Sequence, residues 1–169
     1  MAKQIETLTS DQEKIIYRQL GKYCAYRERA ESEVWNKLKE LEVAEQLSFK
    51  LIALLKKDKF LNNRRFARFY ATGKFSNNKW GKIKIRQGLR EKKISSADIN
   101  FAMNKINDKE YEQTINKLIE KKAALLKDKQ LFVFRKKIVD SLRIKGYEAD
   151  IAWDMVKAKF ELVQNFVFG

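Results

Sequence analysis

The chain has 169 residues, of which 44% are hydrophobic and 35% charged, and its formal net charge is +15. This length suits one ordinary domain, and the apolar content argues against a disordered chain. There is no histidine and only one cysteine, Cys24, so the commonest general base, a disulfide and a cysteine-based zinc site are excluded. These absences predict a protein that is not an enzyme and needs no cofactor, although a carboxylate metal site stays open.

The scarcity of turn-forming residues indicates helices. The sequence contains no proline and only six scattered glycines, whereas sheet-rich proteins need more of both for their turns. No glycine-rich phosphate loop is present. The tyrosines on either side of Cys24 predict that this thiol packs against a core rather than acting as a nucleophile.

The positive charge is concentrated in the middle of the chain. Residues 56–105 contain 15 basic and 3 acidic residues, whereas residues 1–55 contain 9 of each and residues 106–169 contain 13 and 10. So many like charges in a small unit repel each other unless an acidic partner relieves the repulsion. The distribution therefore predicts an anionic partner.

No membrane or export signal is recognisable in the sequence. The first residues, MAKQIETLTSDQEK, lack the apolar stretch of a secretory signal. The longest apolar runs, such as Leu131–Phe134, are too short to span a bilayer. We therefore expect a cytoplasmic protein without a membrane partner.

An internal repeat of about fifty residues runs through the chain. Leu38, Leu89 and Leu142 align, and each is preceded four residues earlier by valine or isoleucine. This spacing predicts helices, and each copy breaks at an equivalent position after its leucine. The sequence therefore predicts an all-α fold of three tandem three-helix repeats, residues 1–56, 57–107 and 108–169, that form one elongated, curved and monomeric array.

Local signals mark the ends of several helices. Ser10-x-x-Glu13 and Ser95-x-x-Asp98 are capping-box patterns that start helices. Gly146 stands where a helix ends in a left-handed residue. The first copy has Leu41-Glu42-Val43 without glycine, so we expect a less sharply defined turn there, or a cost of about 1 kcal/mol if the left-handed geometry is kept.

The middle repeat carries the basic residues that we predict to contact the anionic partner. On its second helix, Lys82, Arg86 and Arg90 lie at i, i+4 and i+8 beside the inward-facing Ile85 and Leu89. They form a row of cations about 6 Å apart, which suits phosphates along a nucleic-acid strand and equally an acidic protein groove. The predicted contact residues are Arg64, Arg65, Arg68, Lys74, Lys79, Lys82, Lys84, Arg86, Arg90 and Lys93.

Three tryptophans invite the hypothesis of a cofactor box. Trp35 and Trp153 lie in periodic helices, which predicts that they pack between repeats. Trp80 opens the basic helix, so its role stays open.

Short motifs follow one another in a fixed order along the chain. The first copy has Arg27-x-Arg29-x-Glu31-Ser32-Glu33 and then Lys37-Leu38. The middle copy has Phe66-Ala67-Arg68, Trp80-Gly81 and Lys84-Ile85-Arg86-Gln87-x-Leu89-Arg90-x-Lys92-x-Ile94. The third has Arg135-Lys136-Lys137-Ile138 and Leu142-x-x-Lys145-Gly146-Tyr147. Together, over nearly the whole chain, these motifs resemble the RecX family of bacterial recombination regulators. The sequence departs from the family pattern at two places. Asn63 stands where an acidic residue is frequent, and the first turn lacks its usual glycine. Both departures affect turn geometry rather than the basic row.

The resemblance implies a modulator, usually an inhibitor, of the recombinase RecA, which polymerises on single-stranded DNA. Such a protein would lie in the groove of the RecA–DNA filament and damp ATP hydrolysis, strand exchange or filament growth. A stand-alone DNA- or RNA-binding protein and a purely structural adaptor remain as alternatives, and an unrecognised hydrolase is a further one.

Overall fold

The computed structural model describes residues 10–127 and 130–167, with side chains up to residue 160. Residues 1–9, on which most of the expectation about a secretory signal rests, lie outside these ranges. All regular structure in the described residues is α-helical, which confirms the predicted fold class. The helices are α1 (Asp11–Tyr26), α2 (Glu31–Glu40), α3 (Glu45–Lys57), α4 (Asn63–Asn78), α5 (Lys82–Glu91), α6 (Ser96–Met103), α7 (Asp108–Ala123), α8 (Leu131–Ile144) and α9 (Ala149–Val167).

Side-chain caps fix the start of several helices. The Ser10 hydroxyl accepts the Glu13 N–H at 3.1 Å, and the Ser95 hydroxyl accepts the Asp98 N–H at 3.2 Å, so both predicted helix starts are confirmed. The amide oxygen of Asn62 accepts the Arg65 N–H at 2.8 Å. This cap makes α4 begin at Asn63.

In each predicted repeat the second helix is followed by a turn, and the three turns are equivalent. Their left-handed residues are Glu42, Lys93 and Gly146, with φ angles of 54°, 58° and 87°. In each turn the N–H of the next residue donates to the carbonyl of the aligned leucine, at 3.1 Å, 3.1 Å and 3.2 Å. The first turn is therefore as sharply defined as the others, contrary to the looser turn expected there, and a glutamate holds its strained position.

The described residues pack as two compact units. Unit 1 contains the described residues up to Tyr70 together with Leu89–Ala102, and unit 2 contains Ala71–Gly88 together with the described residues from Met103 onward. Helices α4 and α5 each contribute residues to both units. The repeat boundaries near residues 57 and 107 remain a prediction.

The core of unit 1 is built mainly from α1, α2 and α3. Its members recur at helical spacing, so each helix turns one apolar stripe inward. Burying each of the larger side chains stabilises the fold by about 1.5–3 kcal/mol. The buried cluster consists of Tyr17, Leu20, Cys24, Val34, Leu38, Leu51, Ile52, Leu55 and Leu61.

The core of unit 2 is centred on α7, α8 and α9. Ile115, Ile119, Ile138 and Leu142 are almost completely buried there. A chain of aromatic rings joins this core to the residues before α5: Tyr111 lies 5.7 Å from Phe75 and 5.1 Å from Tyr147, measured between ring centroids. None of the helices in the two described ranges is both long enough and apolar enough to cross a membrane.

Candidate partner and nucleic-acid interface

The start of α5, which carries part of the predicted row of cations, is fixed in unit 2 by the turn after α8. The N–H of Gly81 donates to the Lys145 carbonyl at 2.8 Å, and the N–H of Ile83 donates to the Gly146 carbonyl at 3.0 Å. A Cβ atom at Gly81 would lie 2.2 Å from the Gly146 oxygen, so only glycine allows this approach. The positive end of one helix thus meets the negative end of another.

Tyr111 completes this joint, which we call the unit 2 joint. Its hydroxyl accepts the Lys82 N–H at 3.0 Å and donates to the Glu148 carboxylate at 2.6 Å. Burial, followed by the hydrogen bond to Glu148, raises the pKa of Tyr111, so the hydroxyl stays protonated. The N–H groups of residues 81–83 are all engaged within unit 2, and a phosphate would therefore have to be bound by side chains.

Unit 1 contains a related joint, the unit 1 joint, at the end of α5. The Ser32 hydroxyl, in the first turn of α2, donates to the Lys92 carbonyl at 2.8 Å. The Lys92 ammonium lies 3.3 Å from the Glu33 carboxylate, which also accepts the N–H of Ala30 and the guanidinium of Arg27, both at 2.9 Å. Ala30 is fully buried at the position equivalent to Gly81. In both units the start of a second helix, which follows a small buried residue, thus meets the turn after another second helix.

Five of the ten predicted contact residues belong to unit 1: Arg64, Arg65, Arg68, Arg90 and Lys93. Arg65 is committed to the fold, because its Nε lies 2.6 Å from the Glu28 carboxylate and its Nη2 donates to the Lys59 carbonyl at 3.0 Å. The other four are exposed. The guanidinium of Arg64 lies over the Phe101 ring at 3.9 Å, and that of Arg68 over the Phe69 ring at 4.8 Å.

The remaining five, Lys74, Lys79, Lys82, Lys84 and Arg86, belong to unit 2. Lys82 forms an ion pair with Asp108 at 2.8 Å, and Lys79 donates to the Ser76 carbonyl at 2.6 Å. The ammonium groups of Lys74 and Lys84 both lie 4.7 Å from the centroid of the Trp80 ring. The predicted row along α5 is therefore divided, with Lys82 and Arg86 in one unit and Arg90 in the other.

The other two tryptophans make contacts within their own helical groups. Trp35 packs edge-on against Phe49, with ring centroids 4.8 Å apart, and Trp153 stacks on Phe132 at 6.3 Å. Both ring contacts join neighbouring helices of one predicted repeat. Trp35 also lines a cavity with Glu91, Lys92 and Lys93 of the middle repeat. The predicted packing between repeats stays a prediction.

Sequence reasoning missed the residues that hold α5 in place. Ser32 stood in one of the family-like motifs, but nothing local indicated the partners of Ser32, Tyr111 and Glu148, which lie 60, 29 and 37 residues away in the chain. The small residue Gly81 and the turn residue Gly146 were visible as glycines, but their contact with each other was not.

Two features bear on the chemistry that the described side chains offer. Its side chains contain no cluster of histidine, cysteine, aspartate and glutamate that could hold a metal ion. Cys24 is buried, and burial raises the pKa of its thiol to about 11, so the thiolate is scarce at neutral pH.

Comparison with known proteins points to one family. Residues 62–103 match the family model described as RecX, second three-helix domain. A regulatory protein RecX of Streptococcus pneumoniae is 31% identical over 155 residues, covering 86% of this chain and 58% of that protein. The RecX of Limosilactobacillus reuteri is 26% identical over 156 residues, covering 92% of this chain and 59% of that protein.

Solved structures share the fold. The crystal structure of RecX from Lactobacillus salivarius matches with a TM-score of 0.80 and 24% identity, over 96% of this chain and 99% of that one. A second crystal structure of a regulatory protein RecX matches with a TM-score of 0.78, over 88% of this chain and 74% of that one.

Fold and site together define an all-helical protein built from three-helix groups, with exposed basic residues around its middle group. This chain belongs to the RecX family of regulatory proteins. It spans about half to three fifths of the length of the curated relatives that it matches.

Proposed function

We propose that this protein binds the filament that RecA forms on single-stranded DNA and inhibits its ATPase activity, strand exchange or growth, without catalysing a reaction itself. The observation that carries the proposal is that the family match and the predicted contact residues fall in the same part of the chain. The region that matches the second three-helix domain of RecX, residues 62–103, contains all ten predicted contact residues. The part of the chain most typical of the family is therefore also its most basic part.

Three exposed arginines of unit 1 are the best candidates for contact with the filament. Arg64 and Arg68 lie one helical turn apart on α4, and Arg90 lies near the end of α5. The aromatic rings beneath Arg64 and Arg68 hold two of the guanidinium groups in place, which lowers the entropy lost when they bind. Guanidinium groups bind phosphate and carboxylate through paired hydrogen bonds. We call Arg64, Arg68 and Arg90 the arginine set.

The experiment is a titration of RecA ATPase on single-stranded DNA with the wild-type protein and two charge-reversal variants. The first variant reverses the arginine set, as Arg64→Glu, Arg68→Glu and Arg90→Glu. The matched control reverses three exposed lysines of α7, as Lys109→Glu, Lys117→Glu and Lys121→Glu, and therefore changes the net charge equally. Arg65 and Lys82 are left unchanged because both form ion pairs within the fold.

We expect the wild-type protein and the lysine control to lower ATP turnover and the arginine-set variant to lose most of this effect. Circular dichroism must show the same helical content for all three proteins. Unchanged ATP turnover at a stoichiometric excess of the wild-type protein would contradict the proposal, and equal losses in both variants would assign the effect to net charge alone.

The alternative is a stand-alone nucleic-acid-binding protein, and one observation favours it. Residues 71–88 contain five basic residues and no carboxylate of their own, and of the five Lys82 forms an ion pair with Asp108. Binding to DNA or RNA that is strong without RecA, together with no effect on the RecA ATPase, would support this alternative.

A further inference from the structure

Trp80 and its two lysines form a group in unit 2 that the proposed function does not explain. The ring is half-buried, and the ammonium groups of Lys74 and Lys84 each lie 4.7 Å from its centroid. Because both distances share that centroid, the two nitrogen atoms are at most twice that distance apart. Two like charges are thus held close together around one aromatic surface.

The polar groups around Trp80 are mostly engaged within the protein. The two other lysines near Trp80 already have partners within the protein. Lys82 is paired with Asp108, and Lys79 donates to the carbonyl of Ser76. The N–H groups of Gly81 and Ile83 donate to carbonyls and that of Lys82 donates to the Tyr111 hydroxyl, so these three N–H groups are not available to an anion. The ammonium group of Lys84 also lies 3.5 Å from the carbonyl oxygen of Ile144. A ligand at this place would therefore meet the ring and the two ammonium groups around it.

We propose that Trp80, Lys74 and Lys84 form a contact site for single-stranded nucleic acid, in which one base stacks on the indole and the lysines bind the flanking phosphates. A base that takes a face of the ring displaces an ammonium group, and the flexible lysine stem lets that group reach the phosphate instead. Stacking on an aromatic side chain is tolerant of sequence, because every base has a π-face. Duplex DNA hides these faces, so the site distinguishes single strands from duplex.

This inference deepens the proposed function, since single-stranded DNA is the substrate on which the proposed partner assembles. It also makes a claim that the arginine set does not make, because a guanidinium–phosphate contact does not require an unpaired base. The two sites can therefore be tested separately.

The first test follows the fluorescence of Trp80 alone. The double variant Trp35→Phe, Trp153→Phe leaves Trp80 as the single tryptophan, and Trp35→Phe, Trp80→Phe leaves Trp153 as the matched control. We expect oligo(dT) to quench Trp80 to saturation, with little quenching by a duplex of equal length and little in the control. Oligo(dT) that binds without quenching Trp80, or that quenches both variants equally, would overturn the proposal.

The second test measures the affinity for labelled oligo(dT) by fluorescence anisotropy. Trp80→Leu should weaken binding by about fivefold or more, the factor that corresponds to losing one stacked base, whereas Trp80→Phe should weaken it less. Binding to duplex should change little in either variant. Equal affinity of all three proteins for oligo(dT) would count against stacking. Thermal unfolding shows whether Trp80→Leu folds, and the fluorescence test decides if it does not.

The two proposals fail in different ways. Inhibition of the RecA ATPase without quenching of Trp80 would remove the stacking site and leave the proposed function. Quenching of Trp80 by oligo(dT) without any effect on RecA would keep the stacking site and remove the proposed function.

Discussion

Glu33 binds three donors at one point of unit 1. Its carboxylate accepts the N–H of Ala30, pairs with the guanidinium of Arg27 and lies 3.3 Å from the ammonium of Lys92. Burial alone would raise the pKa of this carboxyl group, but the three donors outweigh burial and hold the pKa below its ordinary value of 4.5. The ionised form of Glu33 therefore stabilises the unit 1 joint.

The variant Glu33→Gln tests this stabilisation through its dependence on pH. Because the pKa is lower in the folded protein, the stabilisation is complete above a pH of about 4.5 and is lost as the pH falls through the lowered pKa. At pH 7 we expect the variant to lose about 1–3 kcal/mol of unfolding free energy, the cost of leaving charged partners unpaired. Urea denaturation at pH 7 and at pH 3 measures the free energy of unfolding of both proteins at each pH.

The difference between the wild-type protein and Glu33→Gln should shrink at pH 3. Glu45→Gln, at an exposed position in the first turn of α3, serves as the control and should change the free energy far less. A difference that is the same at both pH values would show that the charge of Glu33 is not what stabilises the joint.

Two neighbouring arginines show what sequence could and could not reveal about the site. The sequence placed Arg64 and Arg65 together among the predicted contact residues. In the structure Arg64 is exposed, whereas Arg65 binds the Glu28 carboxylate and the Lys59 carbonyl in the turn after α3. One step along a helix turns a side chain by about 100°, so the choice between them depends on where α4 packs, and composition alone does not carry that information.

At the level of elements, the ends of α2, α5 and α8 share one turn geometry with different residues. Gly146 adopts the left-handed conformation at little cost, whereas Glu42 and Lys93 place a Cβ atom in a conformation that costs about 1–2 kcal/mol. The repeated hydrogen bond to the aligned leucine carbonyl holds this geometry in all three copies. The turn geometry is thus kept even where the residue does not favour it.

Replacing Glu42 with glycine should therefore stabilise the protein. We expect Glu42→Gly to raise the free energy of unfolding by about 0.5–1 kcal/mol, because relief of strain exceeds the added freedom of the unfolded chain. Lys39→Gly, three residues earlier inside α2, should lower it by about 1 kcal/mol, because glycine disfavours a helix interior. A lower midpoint in urea for Glu42→Gly than for the wild-type protein would show that the left-handed residue is not strained.

The helix ends were the part of the fold most open to prediction, because caps and turns depend on residues three to five positions apart. Ser10, Ser95 and Gly146 each confirmed a predicted helix end. The two joints could not be predicted from such local patterns, because they connect residues that are far apart in the chain. Tyr147, for example, donates to the carbonyl of Lys79, 68 residues away, and no local pattern signals such a pair.

For the whole molecule, the amount and placement of positive charge determine how binding responds to salt. Each phosphate contact on a single strand contributes about −0.7 to the slope of log affinity against log salt concentration, because bound counterions are released. If the arginine set meets three phosphates, its charge reversal should reduce the magnitude of that slope by about 2. Anisotropy of labelled oligo(dT) between 50 and 200 mM salt, about the range over which such slopes are read, provides the measurement.

The lysine control of α7 again separates position from net charge, because it loses the same number of positive charges. Its slope should stay close to that of the wild-type protein. An unchanged slope for the arginine-set variant would mean that these residues do not meet phosphates, and would favour an acidic protein surface as their partner.

The two joints also bear on how such a chain can arise. Each joint pairs the start of a second helix, at Ser32 or Gly81, with the turn after another second helix, at Lys92 or Gly146. The middle group of helices carries both halves, the starting residue Gly81 and the turn at Lys92 and Lys93. A segment that carries both halves is complementary to a further copy of itself, so tandem repetition of the segment gives helix groups whose ends already match.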